Sequence, residues 1–95
     1  MDLTDLFLDI TSDNIVFENE YMKVLRIIKE IPTTSKNFVK RVQLVVWKNK
    51  KTDIPDLDIR TFSVRENIYK RGITLSMSET KELYLVLSEL VNDIE

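Results

Sequence analysis

Apolar and polar positions alternate along the first two thirds of this chain and then give way to a longer repeat. In EYMKVLRIIKEI, residues 20–31, an extended backbone places Tyr21, Lys23, Leu25, Ile27 and Lys29 on one side and Met22, Val24, Arg26 and Ile28 on the other. The alternation is incomplete, which predicts a strand partly covered on both faces and ending at Pro32. PTTSKN has turn composition. In NFVKRVQLVVWKNK, residues 37–50, Phe38, Lys40, Val42, Leu44 and Val46 share one face, and Val39, Arg41, Gln43, Val45 and Trp47 share the other. A loop with Pro55 leads to a third strand, LDIRTFSV, and a looser RENIYKRG to a short fourth, ITL, at 73–75. The final segment begins with Ser76 and Glu79 in the S-x-x-E spacing of a capping box. From Met77 to Asp93 the residues Leu83, Tyr84, Val86, Leu87, Leu90, Val91 and Ile94 then fall within roughly 160° of a helical wheel. About 100° covers a sheet, so the surplus predicts packing against a second helix. Two weaker signals lie upstream. Residues 2–10 have the spacing of a short helix, and Ile15, Val16 and Phe17 suit a brief strand. The fold class is thus α+β: a four-stranded antiparallel sheet followed by a C-terminal helix that covers one sheet face.

Composition changes the picture mainly by exclusion. The 95 residues suit one domain, 43% apolar and 32% charged. A chain of this length buries only about 60–65% of its unfolded surface, so association with a second copy stabilises it. Histidine and cysteine are absent, which removes the commonest general base, thiolate chemistry and the usual zinc ligands. One glycine cannot build the phosphate-cradling loops of nucleotide-binding folds. A non-enzymatic protein without cofactor or metal is expected. No apolar run approaches the ~20 residues that span a bilayer. The first ten residues lack the basic region of a secretory signal, and a cytoplasmic protein is expected.

Net charge is −2, yet the charges are segregated. Residues 1–20 hold Asp2, Asp5, Asp9, Asp13, Glu18 and Glu20 without a cation, whereas residues 36–51 hold Lys36, Lys40, Arg41, Lys48, Lys50 and Lys51 without an acid. The last twenty residues are acidic again. A basic middle between acidic ends points to a local anionic partner. Residues 1–20 read as an acidic extension to a domain over 21–95. That extension has three readings: a helix over the sheet edge, a contact to another protein, or an anionic mimic competing for the basic surface.

V-V-W-K-N-K, D-I-R-x-F and K-R-G-I-T-L-S-x-x-E, in this order before an amphipathic helix, resemble the single-stranded-DNA-binding domain of the transcriptional coactivator p15 (positive cofactor four) family, most nearly its stand-alone bacterial members. The resemblance covers about residues 23–92. It implies a β-β-β-β-α subunit with strongly curved strands, dimerising through its helices, here Leu83, Tyr84, Leu87, Leu90, Val91 and Ile94. It further implies grooves that take single-stranded nucleic acid with little regard to sequence, in transcription, replication or recombination, and nucleoid association in a bacterium. Under it Trp47 becomes the stacking aromatic, and Lys48, Lys50, Arg60, Lys70 and Arg71 the phosphate contacts. The chain departs from the eukaryotic coactivators, which carry tryptophan where Ser63 stands; Phe62 is a partial substitute.

The residues themselves suit that chemistry. A single strand exposes phosphates and base faces together, and a sequence-tolerant binder interleaves cations with aromatic platforms. Trp47 stands beside Lys48 and Lys50, Phe62 two residues after Arg60, and Lys70 and Arg71 before Gly72. Lys40 and Arg41 lie on opposite faces, so at most one serves a groove. Blander readings stand beside these. Trp47 in an apolar strand reads as core, Arg60 as the partner of Asp58 or Glu66, residues 48–51 as a solvated loop, and Tyr69 and Tyr84 as packing. Gly72 reads as a positive-φ bend that turns Lys70 and Arg71 outward. Single-stranded RNA is an alternative ligand, and a protein-interaction module of the same fold, binding a polymerase or another partner, is the alternative function.

Overall fold

The computed structural model of the protein describes residues 15–94, with side chains through Asn92. The helix expected over residues 2–10, the readings of the acidic segment up to residue 14 and the Ile94 side chain lie outside the described residues. The chain runs β1 (Phe17–Glu18), β2 (Met22–Pro32), β3 (Phe38–Trp47), β4 (Asp56–Ser63), β5 (Ile68–Leu75) and α1 (Met77–Ile94). All neighbours pair antiparallel in the order β1-β2-β3-β4-β5. The sheet therefore has five strands, not four. The added strand is β1, and it draws residues 17–18 of the expected extension into the sheet.

Phe17 on one edge strand and Tyr69 on the other bring their ring centroids to 4.9 Å. Edges can approach so closely only if the sheet curls, and it forms a half-barrel with that face inside. Three β-bulges supply the curl, because an extra residue bends its strand and tightens the twist. In β2 the register slips between Val24 and Arg26 and again between Ile27 and Lys29, leaving Leu25 and Ile28 as extra residues. The first slip explains the broken alternation, since the neighbours Val24 and Leu25 are both buried. The third bulge leaves two residues of β5, Lys70 and Arg71, opposite Thr61 alone.

Two small cores lie on opposite sides of β3. Inside the curl, Met22, Val24 and Val45 pack with Phe17, Ile27, Trp47 and Tyr69. Outside it, Leu44 and Leu57 pack with Val42, Leu75 and Met77. Met77 is the first residue of α1, which meets the sheet at β4 and β5. Its start is the capping box that the spacing predicts: Glu79 N–H donates to Ser76 Oγ at 3.2 Å, and Ser76 N–H donates to Glu79 Oε1 at 2.8 Å. Beyond this first stretch the helix leaves the sheet. Tyr84 is 59% exposed and Leu90 51%, and Val86, Leu87 and Val91 are exposed with them. The expectation that α1 covers a sheet face is corrected: it docks at its N-terminal end, and its apolar stripe stays open.

Two expectations about the β4–β5 hairpin are also corrected. RENIYKRG is not a loose lead-in, because β5 starts at Ile68 and pairs with β4 from Ser63 onward. Gly72 does not adopt a positive φ; the only non-glycine residue that does, among those described, is Asn67 at 58° in the turn, where asparagine tolerates the left-handed region. Gly72 is needed for close approach instead. A Cβ there would stand 2.5 Å from the Ile59 carbonyl oxygen and 2.7 Å from the Arg60 Cα.

Candidate nucleic-acid interface

Strand register decides which candidates share the inner face. Val45 stands opposite Asp56, Gln43 opposite Asp58, Arg41 opposite Arg60 and Val39 opposite Phe62. Across the next ladder Asp58 faces Thr74, Arg60 faces Gly72 and Phe62 faces Tyr69. Arg41, Trp47, Arg60 and Phe62 are thus brought together inside the curl. Lys40 points to the other face, where its ammonium donates to Thr61 Oγ1 at 3.0 Å, so Arg41 is the member of that pair on the inner face.

A continuous polar chain crosses this face. Asp58, 0% exposed, accepts from Gln43 Nε2 (3.0 Å), Thr74 Oγ1 (2.9 Å), Arg60 Nε (3.2 Å) and Arg60 Nη2 (3.1 Å). Thr74 Oγ1 in turn accepts from the Trp47 indole N–H at 3.1 Å. On the other side, Gln43 Oε1 accepts from the Tyr69 hydroxyl at 2.8 Å, and that hydroxyl accepts from Arg41 Nη1 at 2.9 Å. Arg41 Nε closes the chain on Glu30 at 2.8 Å. No buried side-chain nitrogen or oxygen among the described residues lacks a partner, so this is a fully satisfied network of the kind that rigidifies a face. Burial pushes the Arg41 guanidinium down, but its bonds to Tyr69 and Glu30 outweigh that and hold it above its ordinary pKa.

Most expected phosphate contacts already hold a carboxylate. Lys48 pairs with Glu18 at 2.6 Å, Arg60 with Asp58 at 3.1 Å, Lys70 with Glu66 at 3.4 Å, and Lys50 with Asp56. The Lys48 hydrogen bond draws the Glu18 carboxyl below its ordinary pKa. These pairs are not equivalent. Glu18 and Glu66 are exposed, so their pairs contribute about 0–1 kcal/mol and a phosphate can replace the carboxylate. Asp56 and Asp58 are buried, and releasing either leaves a charge without a partner. Lys48 and Lys70 can therefore exchange their partners for an external anion, whereas Lys50 and Arg60 first hold the fold. Arg71 is exposed and has no ion-pair partner among the described residues.

The aromatic candidates divide in the same way. Trp47 is half-buried at the end of β3, with the Arg60 guanidinium 5.3 Å from its ring centroid. Phe62 is 3% exposed, beneath the Arg41 guanidinium at 3.7 Å and against Tyr69 at 4.8 Å. It offers no open face to a base, and the expectation of a platform there is corrected: the ring supports Arg41. The pairing of Arg60 with Asp58 is one the sequence offers, and the structure shows it. Gln43 and Thr74, which organise the face with Asp58, carry no sequence signal of that role, and Tyr69 does more than pack, since its hydroxyl ties β5 to β3. The signal for Asp58 was the period-two polar set Asp56, Asp58 and Arg60; its meaning depended on the β3 register. Tyr21 was missed as well. The residue is 63% exposed, and the adjacent Glu20 carboxylate holds its phenol above its usual pKa.

Compared with protein-family models and with curated proteins, the sequence finds no match. Among the described residues no helix is long and apolar enough to cross a membrane, and no group of three or more carboxylates could hold a metal ion.

Proposed function

We propose that this protein binds single-stranded DNA with little regard to sequence and works as a homodimer joined through α1. The observation that carries the reading is the grouping of Trp47, Arg60 and Lys70, from three strands, around one opening of the curled inner face. Bases stack on indole and phosphates exchange for the exposed partners of Lys48 and Lys70; neither contact reads base identity. The open apolar stripe of α1 supports the dimer, since a contiguous apolar face of this kind marks an interaction surface. The expected test is fluorescence anisotropy with labelled oligo-dT, oligo-U and duplex at two salt concentrations. Oligo-dT is expected to bind most tightly, with a log–log slope of about −0.7 per phosphate engaged. Trp47→Ala is expected to weaken oligo-dT binding about tenfold or more, within the range for one lost stacking contact. Equal affinity for oligo-U makes RNA an equal ligand.

A second reading is favoured by the ion pairs. A module that had lost its nucleic-acid ligand would satisfy its cations internally, as Lys48, Lys50, Arg60 and Lys70 are satisfied here, and use α1 for a protein partner. Absence of binding to every oligonucleotide selects that reading.

A further inference from the structure

Among the described residues, Trp47 lines three cavities. Two of them mix carboxylates with lysines: Glu18 and Asp53 with Lys23, Lys48 and Lys50 in one, Asp56 and Glu79 with Lys50 in the other. The third, of about 170 Å³, has no carboxylate in its lining. It lies between the turn joining β1 to β2 and the strands β4 and β5, and three aromatic side chains, Tyr21, Trp47 and Tyr69, line it together with Asn19, Arg60 and Lys70. The buried Met22 completes the lining.

We infer that this cavity seats a single nucleobase of a bound strand, with the Tyr21 ring as the second stacking wall beside Trp47. The inference rests on the single-strand reading and adds to it the platform that Phe62 does not provide. Size sets the class of ligand. Pockets for drug-sized molecules and cofactors run to roughly 300–1,000 Å³, so this one accommodates one heterocycle. Chemistry sets its kind. Aromatic walls bind a flat π-face whichever base presents it. Lys70, whose exposed partner Glu66 can give way to a phosphate, favours the anionic backbone of the same nucleotide, while Arg60 stays on buried Asp58 and holds the floor of the cavity.

The wall is also held in place before any ligand arrives. Asn19 Oδ1 accepts from Tyr21 N–H at 2.8 Å and from Met22 N–H at 2.9 Å, and Lys48 N–H donates to the Tyr21 carbonyl at 2.9 Å. A 63% exposed residue on a backbone pinned in this way forms a prepared surface, and preparation lowers the ordering entropy lost on binding. With its oxygen committed to the turn, the Asn19 amide is left with its N–H groups to donate, which suits any acceptor oxygen of a nucleotide, on base, sugar or phosphate.

The test compares wild type, Tyr21→Ala and Tyr21→Phe in the full chain. Each is titrated with labelled oligo-dT and with a sugar–phosphate oligomer of the same length lacking bases. Tyr21→Ala is expected to bind oligo-dT about 5- to 150-fold more weakly, the range for one lost stacked base, and Tyr21→Phe to stay within about twofold of wild type. The base-free oligomer is expected to bind all three alike. Trp47 is the only tryptophan, so its fluorescence gives a reading that needs no variant: oligo-dT is expected to quench it and the base-free oligomer to leave it unchanged. If Tyr21→Ala binds oligo-dT as wild type does, or weakens both ligands equally, or if bound oligo-dT leaves Trp47 unquenched, the base seat is wrong while the single-strand reading survives. If wild type binds no oligonucleotide, both fall.

Discussion

At the scale of single residues, the contacts that stabilise the inner face and those that can meet a ligand are largely different. Asp58 is buried among four donated hydrogen bonds. Asp58→Ala is expected to destabilise the fold by about 3–5 kcal/mol in urea titration, because Arg60 would then be left half-buried without its partner. Lys48 pairs with an exposed glutamate, and Lys48→Ala is expected to change stability by less than about 1 kcal/mol. The same variant is expected to flatten the salt dependence of oligo-dT binding by about 0.7. Lys50→Ala, by contrast, strips the partner from buried Asp56 and should register in stability first. Gly72 belongs to the structural group. Gly72→Ala is expected to lose about 1–3 kcal/mol, as overpacking does, because the atoms its Cβ would strike at 2.5–2.7 Å include the β4 backbone. Unchanged urea midpoints for Gly72→Ala would remove close approach as the reason for the glycine.

At the scale of elements, bulges and caps decide more than residue propensity. The slips at Leu25 and Ile28 curl β2, and the extra residue in β5 places Lys70 and Arg71 on a bend rather than in a regular ladder. The capping box sets the start of α1 and carries a pH signature. The Ser76 N–H and hydroxyl hold the Glu79 carboxyl below its ordinary pKa. A group with a lowered folded-state pKa contributes its stabilisation above the unfolded value and loses it as pH falls through the folded one. Thermal melts from neutral pH down through the carboxylate range are therefore expected to show a loss on the acid side that is smaller in Glu79→Ala. Ser76→Ala is expected to lose about 1 kcal/mol at neutral pH, as for other cap deletions. Legibility at this scale was uneven. The helix start was evident from Ser76 and Glu79 because a cap is local, whereas β5 was shortened to three residues because Tyr69, Lys70 and Arg71 break the alternation at a bulge that only the partner strand defines.

For the whole molecule, the open helix dominates. Two small cores flank β3, and α1 meets the sheet at its first turns while presenting Tyr84, Val86, Leu87, Leu90 and Val91 to solvent. A domain of this size with so much exposed apolar surface is expected to associate. Light scattering behind gel filtration should give about twice 11.2 kDa for the chain and a single subunit for Leu87→Asp. A wild-type mass of one subunit would leave the stripe for a different partner. Because the inner face and the stripe are separate, Leu87→Asp is expected to weaken oligo-dT binding through lost avidity while leaving Trp47 quenching per subunit intact.

Local chemistry was sufficient for the sequence alone to determine the antiparallel β-then-α order, the turn at PTTSKN, the capping box and the apolar stripe, since each depends on spacing within a few residues. The inner-face partners depended on tertiary structure. Whether Trp47 opens to solvent, whether Phe62 does, which of Lys40 and Arg41 faces inward and which cation holds a buried carboxylate all follow from strand register. Register is a relation between distant segments, and the bulge at Leu25 reverses the facing of the residues after it until the bulge at Ile28 restores it.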